Sequence, residues 1–464
     1  GGFLAAPGDA VRASVGLAPD PRAGRTSPVV RVPASVGEQG AASALFLPFL
    51  LQPVERQTPA PSASATALDP TEAASATATA SPTATASPTA SPTPRPLGQR
   101  IAQRVVALDA RIAREMGTWT SYPIVSAPRY DGSQLVGWST ASGQVRITPL
   151  DAHRAREAAD LSFAGESVHG LVAHPDGGAA LYKRGDEMRL RRFDNAGQVV
   201  FEQALVGTGG HGADGDKWID DWSHEGRLAW TGQVYAAYFG HTQNWGSRGN
   251  HQGDLLWLFD GDGRRISGQS VPGYYPEWDW GCSHSIDVRL TYNSVSDTVG
   301  PVCLSDEYPQ DGVVWSRSIL IASMPGDGGG HVEGQLGGLV TSDRGFSLTY
   351  VSRTGRSSYD VALSSISESG HPTWDAWLTD TPGVNETSAH LASYGHDLLA
   401  AWRSGGHFLL SVVDLDGALQ EGPLAVDAGI GERDDFFNYP DGRVGWTYAS
   451  PDRSSLVTVV VELP

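Results

Sequence analysis

A short strand–turn–strand phrase recurs seven times through about the last 340 residues, and it constrains the fold more than any other feature. In the clearest copy, GLVAHPDGGAALYKR, two apolar runs flank a Pro-Asp-Gly turn, and two further runs follow. The seven copies occupy residues 127–140, 170–205, 227–240, 287–306, 339–352, 391–404 and 438–450. Units of four short strands at a spacing of roughly 45–65 residues are typical of radial repetition. The sequence therefore predicts an all-β fold, a β-propeller with seven four-stranded blades.

The two ends of the repeat region predict how the ring closes. The last unit ends in SLVTVVVELP and lacks one strand, which GTWTSYPIV at 117–125 can supply as the outermost strand. Pairing the two ends of the chain in this way removes exposed sheet edges. We therefore expect the propeller to span residues 117–464, closed by an amino-terminal strand.

Three segments precede the predicted propeller. Residues 1–56 show little periodicity, whereas residues 57–96 consist mainly of Ser, Thr, Ala and Pro. Such a composition cannot form a core and favours a disordered, extended linker or stalk. Within residues 97–116, apolar side chains recur at spacings of three and four, which predicts a short amphipathic helix. These side chains are Ile101, Val105, Leu108, Ile112 and Met116.

The charge balance and the apolar runs exclude two classes of partner. Asp and Glu number 52 against 33 Lys and Arg, a net charge of −19, so nucleic-acid phosphates would repel the chain. A membrane-spanning helix needs roughly 18–20 apolar residues. The best candidate, ALFLPFLLQPV at 44–54, is shorter than that and is broken by Pro48. We expect neither nucleic-acid binding nor a membrane span.

The chain contains two cysteines, Cys282 and Cys303. An even pair in a chain of exported appearance predicts a disulfide. It would close a loop of about 20 residues and contribute roughly 3 kcal/mol to stability. The alternative is a pair of buried free thiols.

Histidine recurs where the innermost strand of a unit is expected to begin. His169, His284 and His390 share this place, and His224 falls near it. Innermost strands line the channel of a propeller, so their first residues meet at one mouth, where neutral imidazoles are suitable ligands for a transition metal. The alternative is a set of structural histidines that bond neighbouring blades.

The third and fourth units carry long insertions rich in carboxylates and aromatic residues. Asp214 and Asp216 have the close spacing that a Ca²⁺ site favours, although the match to an EF-hand loop is poor. Aromatic side chains interleaved with Asp, Asn and His are typical of sugar-binding clefts, and a core thickened by the insertions is the alternative. The aromatic residues are Trp245, Tyr274, Tyr275, Trp278 and Trp280.

Two parts of the chain resemble known groups of proteins. The tract at 57–96 resembles the Thr-Pro-Ala stalks of secreted and cell-surface proteins in filamentous environmental bacteria, in which a short apolar segment like LFLPFLLQ lies beside the stalk. The phrases HQGDLLWLFD, WDWGCSHSIDVRLTYN and VCLSDEYP resemble a block in secreted bacterial and plant proteins. The first resemblance implies a location outside the cell. The second implies export with Cys282 and Cys303 paired, and neither implies an activity.

Together these observations favour an extracellular or cell-surface recognition or assembly module. It would bind glycan or protein through the insertion-rich face of blades three and four, or assemble with copies of itself. The alternative is a metal-dependent enzyme whose transition-metal ion is held by the channel-mouth histidines. A bound Ca²⁺ would instead indicate a stabilised scaffold or a lectin-like module, so the cofactor is left open between Ca²⁺ and a His-bound transition metal. The sequence contains no G-x-S-x-G, H-E-x-x-H, P-loop or dinucleotide-binding motif, so a binding role is favoured over catalysis.

Overall fold

The computed structural model describes residues 95–113, 123–220, 225–268, 271, 273–284, 287–306, 311–326 and 331–464. The chain divides into two units, Gly1–Ser87 and Pro88–Pro464, and only the second contains described residues. The predicted irregular segment at 1–56 lies outside the described residues, as does the predicted stalk at 57–96 except for its last two residues.

The described residues form seven antiparallel sheets, one for each predicted blade. In chain order, β1 (Ile101–Ala107) comes first, and blade one comprises β2 (Val125–Pro128), β3 (Gln134–Thr140), β4 (Gln144–Leu150) and β5 (Leu161–Ala164). Blade two comprises β6 (Ser167–His174), β7 (Gly177–Arg184), β8 (Glu187–Asp194) and β9 (Val199–Val206). After β10 (Lys217–Trp218), blade three comprises β11 (Gly226–Trp230), β12 (Val234–Asn244), β13 (Asn250–Asp260) and β14 (Arg265–Ile266). Strand β10 pairs with the end of β12 as a fifth strand.

The remaining blades follow the same order. Blade four comprises β15 (Asp287–Asn293), β16 (Thr298–Ser305), β17 (Gly312–Trp315) and β18 (Ile319–Ser323). Blade five comprises β19 (Gly334–Ser342), β20 (Gly345–Ser352), β21 (Asp360–Ile366) and β22 (Pro372–Trp377). Blade six comprises β23 (Glu386–Tyr394), β24 (Asp397–Ser404), β25 (His407–Val413) and β26 (Leu419–Val426). Blade seven comprises β27 (Phe437–Asn438), β28 (Val444–Ala449) and β29 (Ser455–Val461), with β1 as its fourth strand.

The sheets are arranged in a ring. The innermost strand of each blade contacts the innermost strand of the next, and β27 of blade seven contacts β2 of blade one. This arrangement confirms the predicted seven-bladed β-propeller. We call the face at which the innermost strands begin the upper face, and the face at which they end the lower face.

The apolar core is divided among the seven blade-to-blade contacts. Between blades one and two, for example, Val145 and Ile147 pack against Tyr182 and Phe193. A comparable cluster joins each other pair of neighbours, including blades seven and one. Because the middle strands pack against blades on both sides, they are buried on both faces, as all eight residues of β20 are. Burial of apolar area is therefore distributed around the whole ring.

The predicted helix at 97–116 is wrong. Residues Leu97–Gln99 form a single 3₁₀ turn, and Ile101–Ala107 form β1, which pairs along its whole length with β29. Val105, expected on the apolar face of a helix, is 64% exposed, whereas Val106 is buried. The edge of β29 would otherwise leave its backbone groups unpaired, so the tertiary context overrides the local helical pattern.

Ring closure by an amino-terminal strand is confirmed, but the strand is β1 rather than residues 117–125. Val125 begins β2, the innermost strand of blade one, and residues 117–122 lie outside the described residues. The propeller therefore begins at Ile101 instead of residue 117. The helical turns in the described part of the chain are too short to cross a membrane.

Candidate functional site on the upper face of blades three and four

The hairpin of β12 and β13 projects above the upper face. Both strands have 11 residues, yet β11 begins opposite Phe239, so the part of the hairpin beyond that point rises past the inner strand. The 3₁₀ turn Gly246–Arg248 forms its tip. We call residues 240–254 the raised hairpin. Its length comes directly from the insertion in the third sequence unit.

A segment of the next insertion, residues 274–284, runs antiparallel along the raised hairpin. Leu256 bridges to Trp278, and Gly253 bridges to Ser283. A disulfide between Cys282 and Cys303 fastens this segment to β16 of blade four, which confirms the predicted pairing. The insertions of two blades thus form one covalently fastened surface.

The buried carboxylate of Asp254 holds this segment in place. It accepts hydrogen bonds from the Tyr238 hydroxyl at 2.7 Å, the Trp278 indole N–H at 2.9 Å and the Cys282 backbone N–H at 3.0 Å. A Cβ atom on Gly281 would lie 2.0 Å from one oxygen of this carboxylate. The Trp-Gly-Cys order of the sequence block is therefore a packing requirement, since only glycine leaves room for the carboxylate.

Two tryptophans form the centre of the surface. The six-membered ring of Trp280 lies over Gly253, where a Cβ atom would come within 2.7 Å of it. Trp245 meets Trp280 edge to face with 5.1 Å between the ring centroids, and the Arg248 guanidinium lies 5.4 Å from the Trp245 ring. Both indoles are partly exposed, so they present an aromatic surface to solvent.

A chain of polar side chains borders the Trp280 ring. His251 stacks on Trp280, and its Nε2 lies 2.8 Å from the Ser283 hydroxyl. The ring of His284 lies 4.3 Å from that of His251, and its Nδ1 lies 2.9 Å from a carboxylate oxygen of the buried Asp306. The two imidazoles are partly exposed and offer hydrogen-bonding groups beside the aromatic rings. We call the surface formed by Trp245, Arg248, His251, Trp280 and His284 the raised surface.

A third histidine, His241, is fully buried beneath Trp280 and contacts it edge to face. Burial lowers the pKa of His241 to about 3, and the positive charge of Lys217 acts in the same direction. This imidazole is therefore neutral at physiological pH and supports the Trp280 ring from below.

The structure divides the five aromatic residues that the sequence predicted as a ligand site. Trp245 and Trp280 meet on the upper face, whereas Trp278 is buried in the core between blades three and four. Tyr274 bridges to Thr298 at the lower end of blade four, and the Tyr275 hydroxyl donates to Asp297 there. The surface instead gains His251 and His284.

The predicted metal ligands do not converge within the described part of the chain. The Nε2 atoms of His169 and His390 lie 2.6 and 2.9 Å from the hydroxyls of Ser167 and Ser388, respectively. His390 also stacks on Phe436 in the core. Each hydroxyl belongs to the same strand as its histidine, so these two contacts do not join neighbouring blades as the alternative interpretation expected. His284 belongs to the raised surface, and His224 lies outside the described residues.

The predicted Ca²⁺ ligands likewise serve a local turn. A carboxylate oxygen of Asp216 accepts a hydrogen bond from the Ala213 backbone N–H at 2.7 Å, and the Asp214 side chain lies against Gly246. Among the described residues, the only potential metal-binding group within reach of one ion is Asp254 with Cys282 and Cys303, whose sulfurs form the disulfide.

A buried ion network at the upper end of the central channel was not predicted. Asp435 lies 2.7 Å from Nε of Arg227 in blade three and 3.1 Å from Nε of Arg289 in blade four. Arg433, two residues before Asp435, pairs with Glu225 at 2.5 Å. The ion pairs join residues more than 140 positions apart, so motif spacing could not reveal them. A usable signal was present, however, because GRLAW and VRLTY place arginine at equivalent positions in units three and four.

Comparisons with known proteins give only distant structural similarities. No protein-family model and no curated protein matches the sequence. A crystal structure of BBS1N in complex with ARL6DN is similar with a TM-score of 0.41 and 9% identity, over 76% of this chain and 97% of that chain. The PQQ-bound aldose sugar dehydrogenase of Streptomyces coelicolor is similar with a TM-score of 0.36 and 16% sequence identity, over 78% of this chain and 98% of that chain. A chain of a mitotic checkpoint complex structure is similar with a TM-score of 0.44 and 11% sequence identity, over 81% of this chain and 97% of that chain. Such low values carry no argument about ligands.

Proposed function

We propose that this propeller is an extracellular or cell-surface recognition module that binds a glycan through the raised surface of blades three and four. The observation that carries the proposal is the partly exposed pair of Trp245 and Trp280, bordered by Arg248, His251 and His284. Aromatic rings stack on the apolar face of a sugar, and adjacent polar groups bond its hydroxyls.

The distribution of apolar surface favours glycan over protein as the ligand. Protein interfaces are centred on clustered apolar anchors that become fully buried. The exposed large apolar side chains in the described part of the chain are scattered over several blades: Val105, Tyr130, Val199, Val200, Tyr274, Val295, Val384 and Leu419. Tyr274 belongs to the segment 274–284 but lies at the lower end of blade four, away from Trp245 and Trp280. The raised surface itself is aromatic and polar.

Two features support a location outside the cell. The disulfide between Cys282 and Cys303 is suited to an oxidising compartment. The Ser/Thr/Pro composition of residues 57–96 suits a stalk that holds the propeller away from a surface. Thiol titration of protein isolated from its native host tests this part of the proposal, since free thiols in the native protein would contradict it.

The glycan proposal is tested by screening the full chain on a glycan array and measuring each hit by titration calorimetry. Trp280→Ala and Trp245→Ala should each weaken binding by about tenfold or more, because each removes one stacking surface. Trp374→Ala, in the outer strand of blade five, is the matched control and should bind as the unmodified chain does. Binding that survives both upper-face substitutions, or an array without hits, would refute the glycan ligand.

A further inference from the structure

The central channel contains a cavity that is separate from the raised surface. Its volume is about 580 Å³, and all seven innermost strands contribute to its wall. It extends from the ion network at the upper end towards the lower face, where Trp230, Tyr292 and Asn438 lie. A volume of this size lies within the range of small-molecule binding sites.

The chain itself crosses the upper end of the channel. Residues 431–436, which we call the channel plug, connect blade six to blade seven and cross the mouth to the opposite side of the ring. Arg433 pairs with Glu225 before β11, and Asp434 accepts a hydrogen bond from the Ile124 backbone N–H at 2.9 Å. Because these contacts obstruct the upper mouth, we place the entrance for a ligand at the lower face.

The carboxylate of Asp435 forms the upper end of the cavity. Arg227 and Arg289 each approach one of its oxygens, yet 41% of the side chain remains accessible because it faces the channel. An ionised carboxylate offers about four lone-pair positions, so two contacts leave acceptor capacity directed at the cavity. A ligand with O–H groups matches this capacity.

The surroundings of Asp435 select against charged ligands. A cation would have to approach the carboxylate beside two buried guanidiniums, which repel it. An anion would be repelled by the Asp435 carboxylate, since the Arg289 nitrogen without a hydrogen-bond partner, Nε, lies 3.1 Å from that carboxylate. The other Arg289 nitrogens bond Asp287 and the carbonyls of Val288 and Leu336. Arg227 likewise bonds backbone carbonyls besides Asp435. A neutral ligand meets neither obstacle.

Between Asp435 and the lower face, the wall of the cavity combines hydroxyl groups with aromatic rings. Ser126, Thr291, Thr341 and Ser393 bring hydroxyls to the lining, and Trp230 and Tyr292 bring rings. Hydroxyl groups beside aromatic surface suit a ligand that has both polar edges and an apolar face. A pyranose ring has this character, with vicinal hydroxyls at its edge.

We infer that the central channel is a binding site for a neutral sugar, a monosaccharide or the terminal residue of a glycan, whose vicinal hydroxyls donate to Asp435. The site opens on the lower face and does not depend on the function proposed for the upper face.

The test is titration calorimetry of the full chain with glucose, galactose, mannose and xylose, each up to about 50 mM, a range that detects millimolar affinity. We expect saturable binding of at least one sugar, and binding at least about tenfold weaker for the matching amino sugar and uronic acid. Thr291→Trp, which fills part of the cavity and leaves the ion network intact, should abolish binding. Thr373→Trp, on the exposed outer strand of blade five, should not change it.

Asp435→Asn should weaken binding by about tenfold, since the amide presents one acceptor in place of two. Thr291→Trp keeps the test decisive if Asp435→Asn does not fold. The inference is overturned if no neutral sugar binds, if the charged sugars bind as tightly, or if Thr291→Trp binds normally. Sugar binding that is lost only in Trp280→Ala would assign the ligand to the upper face and would also overturn it.

Discussion

Replacing Asp435 with asparagine tests whether the channel plug holds the ring together from inside. Asp435 joins blade seven to blades three and four, which lie on the opposite side of the channel, through Arg227 and Arg289. These arginines are only 5% and 2% exposed. Asp435→Asn would leave two buried guanidiniums with a neutral partner, although both keep their other acceptors.

The expected loss of stability follows from this geometry. Removing one partner of a fully buried ion pair costs about 3–5 kcal/mol. Because 41% of the Asp435 side chain is accessible, water screens part of the interaction, and we expect a loss of about 2–3 kcal/mol. The measurement is equilibrium urea unfolding followed by tryptophan fluorescence. Asp416→Asn, whose pair with Arg344 is exposed, is the matched control and should leave the midpoint unchanged.

The effect also has a defined pH dependence. Burial alone raises the pKa of Asp435, but Arg227 and Arg289 outweigh it and hold the pKa below its ordinary value. A carboxylate with a lowered pKa stabilises the folded state above its unfolded pKa of about 3.9, and this contribution is lost as the pH falls through the folded pKa. The difference between the unmodified chain and Asp435→Asn should therefore be full at pH 7 and shrink below pH ~4. A loss below about 0.5 kcal/mol at pH 7, the range of ordinary surface substitutions, would refute the reasoning.

Three further predictions concern the packing around the site and the buried histidines. Gly281→Ala should destabilise the protein by about 3 kcal/mol, because its Cβ would enter the space of a buried carboxylate, whereas Gly212→Ala, with open space around it, should be neutral in the same thermal melts. Breaking the link between Cys282 and Cys303, which are 21 residues apart, should cost about 3 kcal/mol, and equal melting temperatures with and without reductant would contradict this. Burial lowers the pKa of His390 to about 3, so between pH 6.5 and pH ~3 the unfolded state binds one more proton at this residue than the folded state does. His390 should therefore lower the free energy of unfolding by about 1.4 kcal/mol for each unit that the pH falls within this range. His390→Gln should remove that part of the slope, and an unchanged slope in urea titrations at each pH would show that the residue does not titrate as expected.

The repeat architecture follows from local sequence patterns. Each unit carries its own turns and apolar runs, so local patterning was sufficient to locate all seven blades, from residues 127–140 to residues 438–450. The disulfide was also predictable, since two cysteines allow a single pairing. Closure of the ring was predicted in kind, because an incomplete last unit requires a strand from elsewhere in the chain.

Tertiary structure decided which strand closes the ring. Residues Ile101–Ala107 carry a helical pattern but pair with β29. The hydrogen bonds to the otherwise unpaired edge of β29 outweigh the local helical propensity. It also decided the composition of the upper-face surface. Trp278 and Trp280 are two positions apart, yet one enters the core and the other reaches solvent, since Asp254 and Gly253 seat them differently.

The ion pairs in the central channel could not be predicted from local sequence patterns. Arg227, Arg289 and Asp435 come from three blades and meet only when the ring is complete, so their pairing depends on distances that no local pattern encodes. Turns and apolar alternation are short-range properties that each unit specifies for itself, whereas a channel is formed by all seven units at once. The sequence thus determined the blades, and the closed ring decided what they surround.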